Sequence, residues 1–491
     1  MNSVPDRSGT ERGDFFPSTP MGNAMNLQPL NEGMTPREAF RTVTDHFCRS
    51  SFDAIPTLSV ERAKDIVIDI LGCMLSGQTD PSSETIRQLA VSWGGTPESS
   101  MPGSRQKLPA RSAAFVNAVA ARAFDFGVGG SSVLSQKKPP VHISETLVPA
   151  ALAVGERTGA SGKDVLAALI TGEDFTGRLA ASLSFTVPLD CRGTINTLGT
   201  AVTAGKLMGL SSKQFEHALF LAAHQVGGIK QGIQFNLGQG FSAMTGITAA
   251  ELASQGMQGV DDPVAEGGTL LNVFSSGFDG RTFFDGLGTV FHTSVSFKRY
   301  PCCRATHSSI ECALDLLHEG LRAEDVATVT IHVSPWTCAH LVGRPFALRE
   351  NPHADAIFSL QYAVANVLLR GDCRLEHYTL PFITSPDVMA LTRRIRMTSE
   401  GWPLHDGDPK LSSFLEVETT DGRHLHAYSR FPRGHELIGS PLTEEEKKEK
   451  FMRNAAFSAC LSSEKSEKLY RKLKRLDELD SLSDIVDLLA F

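Results

Sequence analysis

The stretch RSAAFVNAVAARAFDF, at residues 111–126, indicates the fold class of this chain. Its many alanines are typical of a helix that packs closely against neighbouring helices. Similar stretches rich in Ala, Gly and Leu follow, and most of them end near a glycine, as helices do. They cover residues 144–159, 162–183, 194–208, 212–226 and 243–257. Alternating Val, Ile and Thr residues are scarce before residue 290, so this part of the chain is predicted to be all α.

The pattern changes after residue 290. The segment Val326–Ser334 alternates apolar and polar residues like a half-buried strand. The segment Phe414–Tyr428 predicts a hairpin that turns at Asp421-Gly422. Helical sequence accompanies these strands, at residues 307–320 and 354–369. The region therefore reads as a small α+β unit that interrupts the helical part of the chain.

Helical sequence returns near the end of the chain, which defines the predicted domain organisation. We predict a mainly α protein with a large all-helical domain, built from residues 36–291 and 436–491, and a smaller inserted α+β lid domain over residues 292–435. Residues 1–35 contain no apolar segment of the secretory kind and are predicted to form a disordered leader.

Composition excludes several classes of protein. The net charge of −8, from 47 basic and 55 acidic residues in 491, leaves no bulk basic field for nucleic acid. No apolar run is long enough to cross a membrane. The nine cysteines contain no CxxC pair, which favours a reduced, intracellular protein. A cytoplasmic location is predicted, and a mitochondrial one is disfavoured because the leader carries acidic residues.

The densest polar cluster is FKRYPCCRATH, at residues 297–307, directly before a predicted helix. Lys298 and Arg304 are candidates for gripping carboxylates through charge-assisted hydrogen bonds. Cys302 and His307 stand beside them as candidate substrate contacts. The alternative is a solvated basic turn, but a Cys-Cys pair and a proline are unusual on such a surface.

Three further candidates precede this cluster in the sequence. His142 lies just before an apolar helix, where an imidazole can relay a proton, although many such histidines are structural. Asp125 lies between Phe124 and Phe126, and burial there either raises its pKa or forces pairing with a cation such as Arg122. Arg192, at the start of another helix, is a candidate carboxylate ligand.

Several common motifs are missing from the sequence. The glycine-rich segment at residues 226–233 lacks both GxGxxG and the P-loop GK[ST], so no nucleotide cofactor is predicted. There is no GxSxG elbow and no HExxH motif. The histidines and cysteines do not have zinc-site spacing, and no metal site is predicted.

Six segments together resemble the MmgE/PrpD family, which includes 2-methylcitrate dehydratases, cis-aconitate decarboxylases and an iminodisuccinate epimerase. They are RSAAFVNAVAARAFDF (111–126), VHISETLVPAALAVGERTGASGKDVLAALITGED (141–174), TLGTAVTAGKLMGLS (197–211), SFKRYPCCRATHSSIECALDLL (296–317), FSLQYAVANVLLRGD (358–372) and FPRGHELIGSPLTEEEKKEKF (431–451). The resemblance implies a helical domain with a lid, an active site between them, a homodimer and no cofactor.

The resemblance carries over to individual residues. His142 matches the histidine of the family's H-P-S motif, with Ile143 in place of proline. Asp125 matches the first acid of D-F-D-D. Lys298 matches the lid lysine, and His307 matches the histidine that follows the cysteine turn.

Three positions depart from the family pattern. Gly127 stands where D-F-D-D has its second acid. The G-F-H-P turn reads Leu189–Arg192 here and contains no histidine. The lysine expected in the helical domain falls near Phe235.

The resemblance implies a lyase that needs no cofactor and acts on a di- or tricarboxylic acid. It would decarboxylate a cis-aconitate-like acid or dehydrate an alkylcitrate-like acid through an enolate-type intermediate. In this hypothesis Lys298, Arg304 and Arg192 hold carboxylates, His142 moves the proton and Asp125 orients the pocket. Two alternatives remain: an isomerase or epimerase acting on a related dicarboxylate, and a non-catalytic paralogue with a binding role.

Overall fold

A computed structural model describes residues 36–129, 142–185, 191–227, 235–259, 275–293, 295–434 and 440–489. The α-helices in these ranges are α1 (Pro36–Arg49), α2 (Thr57–Gly77), α3 (Pro81–Trp93), α4 (Ala110–Arg122), α5 (Ser144–Thr158), α6 (Gly162–Ser182), α7 (Cys191–Leu207), α8 (Ser212–Ala223), α9 (Leu237–Ser254), α10 (Gly280–Phe284), α11 (His307–His318), α12 (Pro335–Ala339), α13 (Pro352–Ile357), α14 (Leu360–Arg370), α15 (Leu380–Ile383), α16 (Pro386–Thr392), α17 (Glu444–Ser458), α18 (Ser463–Lys474) and α19 (Ser483–Leu489). The strands are β1 (Ser99–Ser100), β2 (Lys107–Leu108), β3 (Leu183–Phe185), β4 (Ser275–Phe278), β5 (Val326–Val333), β6 (Ile395–Thr398), β7 (Ser413–Thr419) and β8 (His424–Ser429).

The mainly α class predicted from the sequence is confirmed, and several helix boundaries differ from the prediction. The helix expected over residues 111–126 ends at Arg122, because the chain turns there and Asp125 takes a left-handed backbone conformation. The helix expected over 354–369 is two helices, with an extended residue, Ser359, capping the second. Helix α9 begins at Leu237, six residues before the predicted start at residue 243.

The prediction that the chain is all α before residue 290 is wrong in detail. β1 pairs with β2, and β3 pairs with β4, both antiparallel. These strands are only two to four residues long, so they carry too few alternating side chains to be seen in the sequence.

The α+β unit contains one four-stranded sheet in the order β6-β5-β7-β8. The predicted strand is β5, and the predicted hairpin is β7 with β8, which pair with Leu415 opposite Ala427. β5 is parallel to β6 and antiparallel to β7. Helix α11 packs against β7 and β8 and so covers one face of the sheet. The segment at residues 297–307 leads directly into this helix.

The helical part packs around α2 and α4. Helix α4 contacts α2, α5 and α9, as expected for a helix whose small side chains permit close approach. Helix α17, from the far end of the chain, lies against α2, and Lys450 pairs with Asp69 across the contact at 2.6 Å. A second apolar core belongs to the α+β unit, and Phe124, Phe126 and Phe235 from the helical part contribute to it.

Some predictions fall outside the described residues. They concern the leader at residues 1–35 and the glycine-rich segment from residue 228 to residue 233. Among the helices that the structure describes, none combines the length and apolar character of a membrane span.

We predict that the chain forms a homodimer in solution. Large aromatic side chains remain exposed on the single chain, with Trp93 48% and Phe241 50% accessible, and exposed apolar surface of this kind is typical of an interface. Static light scattering at micromolar concentration is expected to give twice the chain mass of 53.0 kDa. A mass of one chain over that range would contradict the prediction.

Candidate active site

Asp125 lies at the boundary between the two apolar cores. Helix α4 ends at Arg122, and Asp125 follows with φ of +46°, a conformation that Asp tolerates better than most residues. Its neighbours Phe124 and Phe126 anchor the turn: Phe124 packs edge-on against His353, with ring centroids 4.8 Å apart. Asp125 itself is only 1% exposed. The turn therefore holds a carboxylate inside the protein.

Lys298 approaches Asp125 from the segment that leads into the α+β unit. A pair of backbone hydrogen bonds between Gly129 and Ser296 places this segment beside the Asp125 turn. Lys298 Nζ donates to Asp125 Oδ1 at 2.6 Å and also to the Asp125 carbonyl. The lysine side chain is 1% exposed. Its ammonium is therefore already engaged by Asp125, whereas the sequence predicted a carboxylate anchor for substrate.

His142 is the most accessible member of the group. It lies just before α5, and its carbonyl accepts hydrogen bonds from Asn196 of α7 at 2.7 Å and Gln239 of α9 at 3.2 Å. The ring is 20% exposed, and Nε2 lies 3.9 Å from Asp125 Oδ1. Two buried amides thus fix the backbone of a histidine whose side chain is partly exposed.

Arg122 and Glu145 complete the cluster. Arg122 Nη1 donates to Asp125 Oδ1 and lies 3.0 Å from His142 Nδ1 and 3.2 Å from Glu145 Oε1. Glu145 Oε1 is 3.1 Å from the same Nδ1. The guanidinium also lies over the Phe235 ring, 5.6 Å from its centroid. One cation therefore touches both carboxylates and the imidazole.

The electrostatics of the cluster favour ionised acids around a neutral imidazole. Burial opposes ionisation of Asp125, but Arg122 and Lys298 outweigh it and hold the pKa of Asp125 well below its ordinary range. Burial also raises the pKa of Glu145, and His142 and Arg122 bring it below its ordinary value. Burial and Arg122 lower the pKa of His142 below 6.5. At neutral pH the ring is uncharged and can accept a proton.

The structure brings Asp125, His142 and Lys298 together but uses Arg304 elsewhere. Arg304 donates to the backbone carbonyls of Phe297, Pro432 and Arg433 at 2.9 to 3.3 Å. Burial lowers its pKa to about 10, so it stays charged at neutral pH. Its guanidinium ties two loops of the chain together, a different use from the carboxylate grip expected from the sequence.

Cys302 and His307 are buried within the turn that carries them. Cys302 Sγ lies 3.1 Å from the Thr306 hydroxyl. His307 Nε2 is 3.3 Å from the Cys302 carbonyl, and its ring packs edge-on against Tyr300 at 5.1 Å. Arg192 is the second residue of helix α7, but its side chain lies outside the described part of the structure. Its proposed contact with substrate stays a prediction.

Sequence reasoning did not single out Glu145, Asn196 or Cys303. Glu145 lies three residues after His142 at the start of a helix, a spacing that places two side chains on one face and was available as a signal. Cys303 feels the charges of Asp125 and Lys298, and burial with the nearby Asp125 raises its pKa to about 12. Cys303 is partly exposed, whereas Cys302 is buried.

Two family models match this chain. The MmgE/PrpD N-terminal domain matches residues 41–282, and the MmgE/PrpD C-terminal domain matches residues 300–475. The chain belongs to the MmgE/PrpD family.

Three relatives in the family are cis-aconitate decarboxylases. The human protein is 27% identical over 420 residues, which cover 81% of this chain and 83% of the relative. The mouse protein is 25% identical over 431 residues, covering 83% and 84%. The protein from Aspergillus terreus is 24% identical over 424 residues, covering 80% and 84%.

Proposed function

We propose that the chain is a lyase acting on a di- or tricarboxylic acid, by decarboxylation of a cis-aconitate-like acid or dehydration of an alkylcitrate-like acid. The observation that carries the proposal is the partly exposed, neutral His142 beside the buried Asp125, Arg122 and Lys298. The names of the three relatives support a decarboxylase among the possible lyases.

In this proposal His142 Nε2 moves the proton. For dehydration it takes the proton next to a substrate carboxylate, the electron pair passes into an enolate, and hydroxide leaves from the neighbouring carbon. For decarboxylation the C–C bond electrons pass into the same kind of enolate as CO2 leaves, and the enolate carbon takes a proton that His142 Nε2 has received from solvent. Asp125 stabilises the imidazolium, and the positive charge of that imidazolium lies next to the enolate.

Carboxylate binding needs charge beyond this cluster. Arg122 and Lys298 are each paired with buried carboxylates, so with a neutral ring their charges and those of Asp125 and Glu145 cancel. Arg192 is the remaining predicted carboxylate ligand. A substrate with two or three carboxylates therefore has to be held partly by groups outside the five residues described above.

A panel of di- and tricarboxylic acids incubated with the purified protein tests the proposal. Mass spectrometry is expected to detect loss of CO2 or of water from at least one acid. His142→Gln, which keeps a polar side chain of similar size, is the matched control for contaminating activity. Exchange of deuterium into an acid of unchanged composition would identify an isomerase or epimerase instead. Saturable binding without any conversion would identify a binding protein.

Catalysis is expected not to depend on a divalent metal. Asp125, His142 and Glu145 present oxygen and nitrogen atoms to one point, but Arg122 Nη1 occupies that point within hydrogen-bond distance of all three. Among the described residues, no group of three or more His, Cys, Asp or Glu side chains is arranged to hold a metal ion. Turnover after dialysis against EDTA is expected to equal that of untreated protein. Loss of turnover that a divalent ion restores would contradict this.

A further inference from the structure

Gly127 and Glu145 share a space that holds only one side chain. A Cβ atom at position 127 would lie 2.7 Å from Glu145 Cγ and 2.8 Å from Glu145 Oε1, closer than real Cβ atoms approach other atoms. The backbone of Gly127 is not in the left-handed region, so steric room rather than conformation requires glycine here. Because Gly127 has no side chain, the Glu145 carboxylate can occupy this space and contact His142.

His142 Nδ1 has two competing partners. Arg122 Nη1 would donate a hydrogen to it at 3.0 Å, which requires a bare Nδ1 and puts the ring proton on Nε2. Glu145 Oε1 would accept from it at 3.1 Å, which requires a proton on Nδ1. The two contacts demand opposite tautomers of the neutral ring, and one of them prevails.

Counting the hydrogens on Arg122 Nη1 resolves the competition. This nitrogen carries two hydrogens and faces three acceptors: Asp125 Oδ1, Glu145 Oε1 and His142 Nδ1. Two ionised carboxylates are stronger acceptors than a neutral imidazole nitrogen, so both hydrogens go to Asp125 and Glu145. Nδ1 then keeps its own proton and donates it to Glu145 Oε1.

We propose that Glu145 is a positioning residue that holds His142 in the tautomer protonated on Nδ1, and that Gly127 is required for this because any side chain there displaces the Glu145 carboxylate. The lone pair of the neutral ring then lies on Nε2, the nitrogen that the proposed function needs as a base. The inference rests on the proposed function only for the catalytic role that it gives to the Nε2 lone pair. The tautomer itself is a property of the free protein.

The charged groups around the ring come from four segments. Arg122 belongs to α4, Asp125 to the turn after it, Glu145 to α5, and Lys298 to the segment before the α+β unit. Lys298 contacts Asp125 and not the ring, and Asp125 is nearer to Nε2, at 3.9 Å, beyond hydrogen-bond distance. Among the residues that the structure describes around the ring, only Glu145 is placed to accept a proton from Nδ1.

The experiment measures the protonated nitrogen of His142 directly. The full chain is labelled with ¹⁵N-histidine, and the ring nitrogens are observed by long-range ¹H–¹⁵N correlation at neutral pH. Signals of His142, one of 15 histidines, are assigned by their loss in His142→Gln. The wild-type protein is expected to show a protonated Nδ1 and a bare Nε2. Glu145→Ala and Gly127→Ala are both expected to move the proton to Nε2, since Arg122 then donates to Nδ1.

Two further variants keep the test decisive. In the double variant Gly127→Asp with Glu145→Ala, the new side chain finds room and its carboxylate is expected to restore the proton on Nδ1. Glu156→Gln is the matched control: this acid lies on the same helix and binds Ser100 and Lys107, away from the ring. It is expected to leave the His142 signals unchanged. If the alanine variants do not fold, the shape-preserving Glu145→Gln is expected to increase the fraction protonated on Nε2.

A wild-type ring protonated on Nε2, or a tautomer that none of the position 127 and 145 variants changes, would overturn the inference. Because no substrate is present, this outcome is separate from the carboxylic acid panel. Conversion of an acid together with an Nε2–H ring would keep the lyase and reject Glu145 as its positioning residue. The expected tautomer without any conversion would support the positioning role and reject the lyase.

Discussion

Lys298→Met is expected to lower the free energy of unfolding by about 3–5 kcal/mol and to abolish turnover, because it removes one partner of a buried ion pair. Lys298 is 1% exposed and donates to both the side chain and the carbonyl of Asp125. Methionine fills a similar volume, so the loss reflects charge rather than a cavity. Urea denaturation gives the change in stability, and the acid panel gives the change in turnover.

The double variant Lys298→Met with Asp125→Asn is the control for this prediction. It removes both charges of the pair, so it is expected to recover most of the lost stability without recovering turnover. Equal destabilisation of the single and double variants would show that the pair does not act as a unit. Wild-type kcat/KM in Lys298→Met would place the active site elsewhere.

His142→Gln is expected to lower kcat by about 10²–10⁴-fold, the usual contribution of one general acid or base. The fold should survive, because the ring is 20% exposed and the amides of Asn196 and Gln239 hold the backbone carbonyl rather than the ring. His224→Gln, at an exposed position after α8, is the matched control and is expected to keep wild-type kcat. An unchanged kcat in His142→Gln would assign the proton transfer to another group.

The same residue sets the sign of the pH dependence. Because burial and Arg122 lower the pKa of His142 below 6.5, the neutral base persists below pH 6.5 and is lost only as the pH falls through the lowered value. The acidic limb of kcat/KM is therefore expected below pH 6.5. The free energy of unfolding is also expected to fall as the pH drops below 6.5, because the unfolded chain binds a proton at His142 more readily than the folded chain does. A limb above pH 6.5 would contradict the assignment.

Helix positions were predictable because their signals are local. Helices α5, α6 and α8 begin at or next to predicted starts, each marked by a capping residue or a preceding turn, such as the Ser161 cap of α6. The C-terminal end of α4 and the break at Ser359 could not be predicted, because tertiary packing determines them. At α4, the rings of Phe124 and Phe126 enter the second core, and that pulls the last predicted turn out of helix.

The site was only partly predictable, because some of its contacts join residues that lie far apart in the sequence. Pairing of Asp125 with Arg122 follows from their spacing at the end of a helix, and the sequence anticipated it. The engagement of Lys298 by Asp125 joins residues 173 positions apart, and no local pattern encodes it. The role of Arg304 could not be predicted for the same reason. A cation beside two cysteines has the composition of a binding site, and no local pattern shows that the distant carbonyls of Pro432 and Arg433 accept its hydrogen bonds.

The contact between α2 and α17 constrains how the protein is made. Helix α2 is buried on nearly every side, and part of its cover comes from α17, whose Lys447 and Lys450 reach Asp65 and Asp69. During synthesis α2 leaves the ribosome several hundred residues before that cover exists. The part of the α2 surface that α17 covers therefore stays exposed to chaperones and to other nascent chains until α17 has been synthesised. A chain that terminates before residue 444 would lack α17 and would leave this part of α2 uncovered.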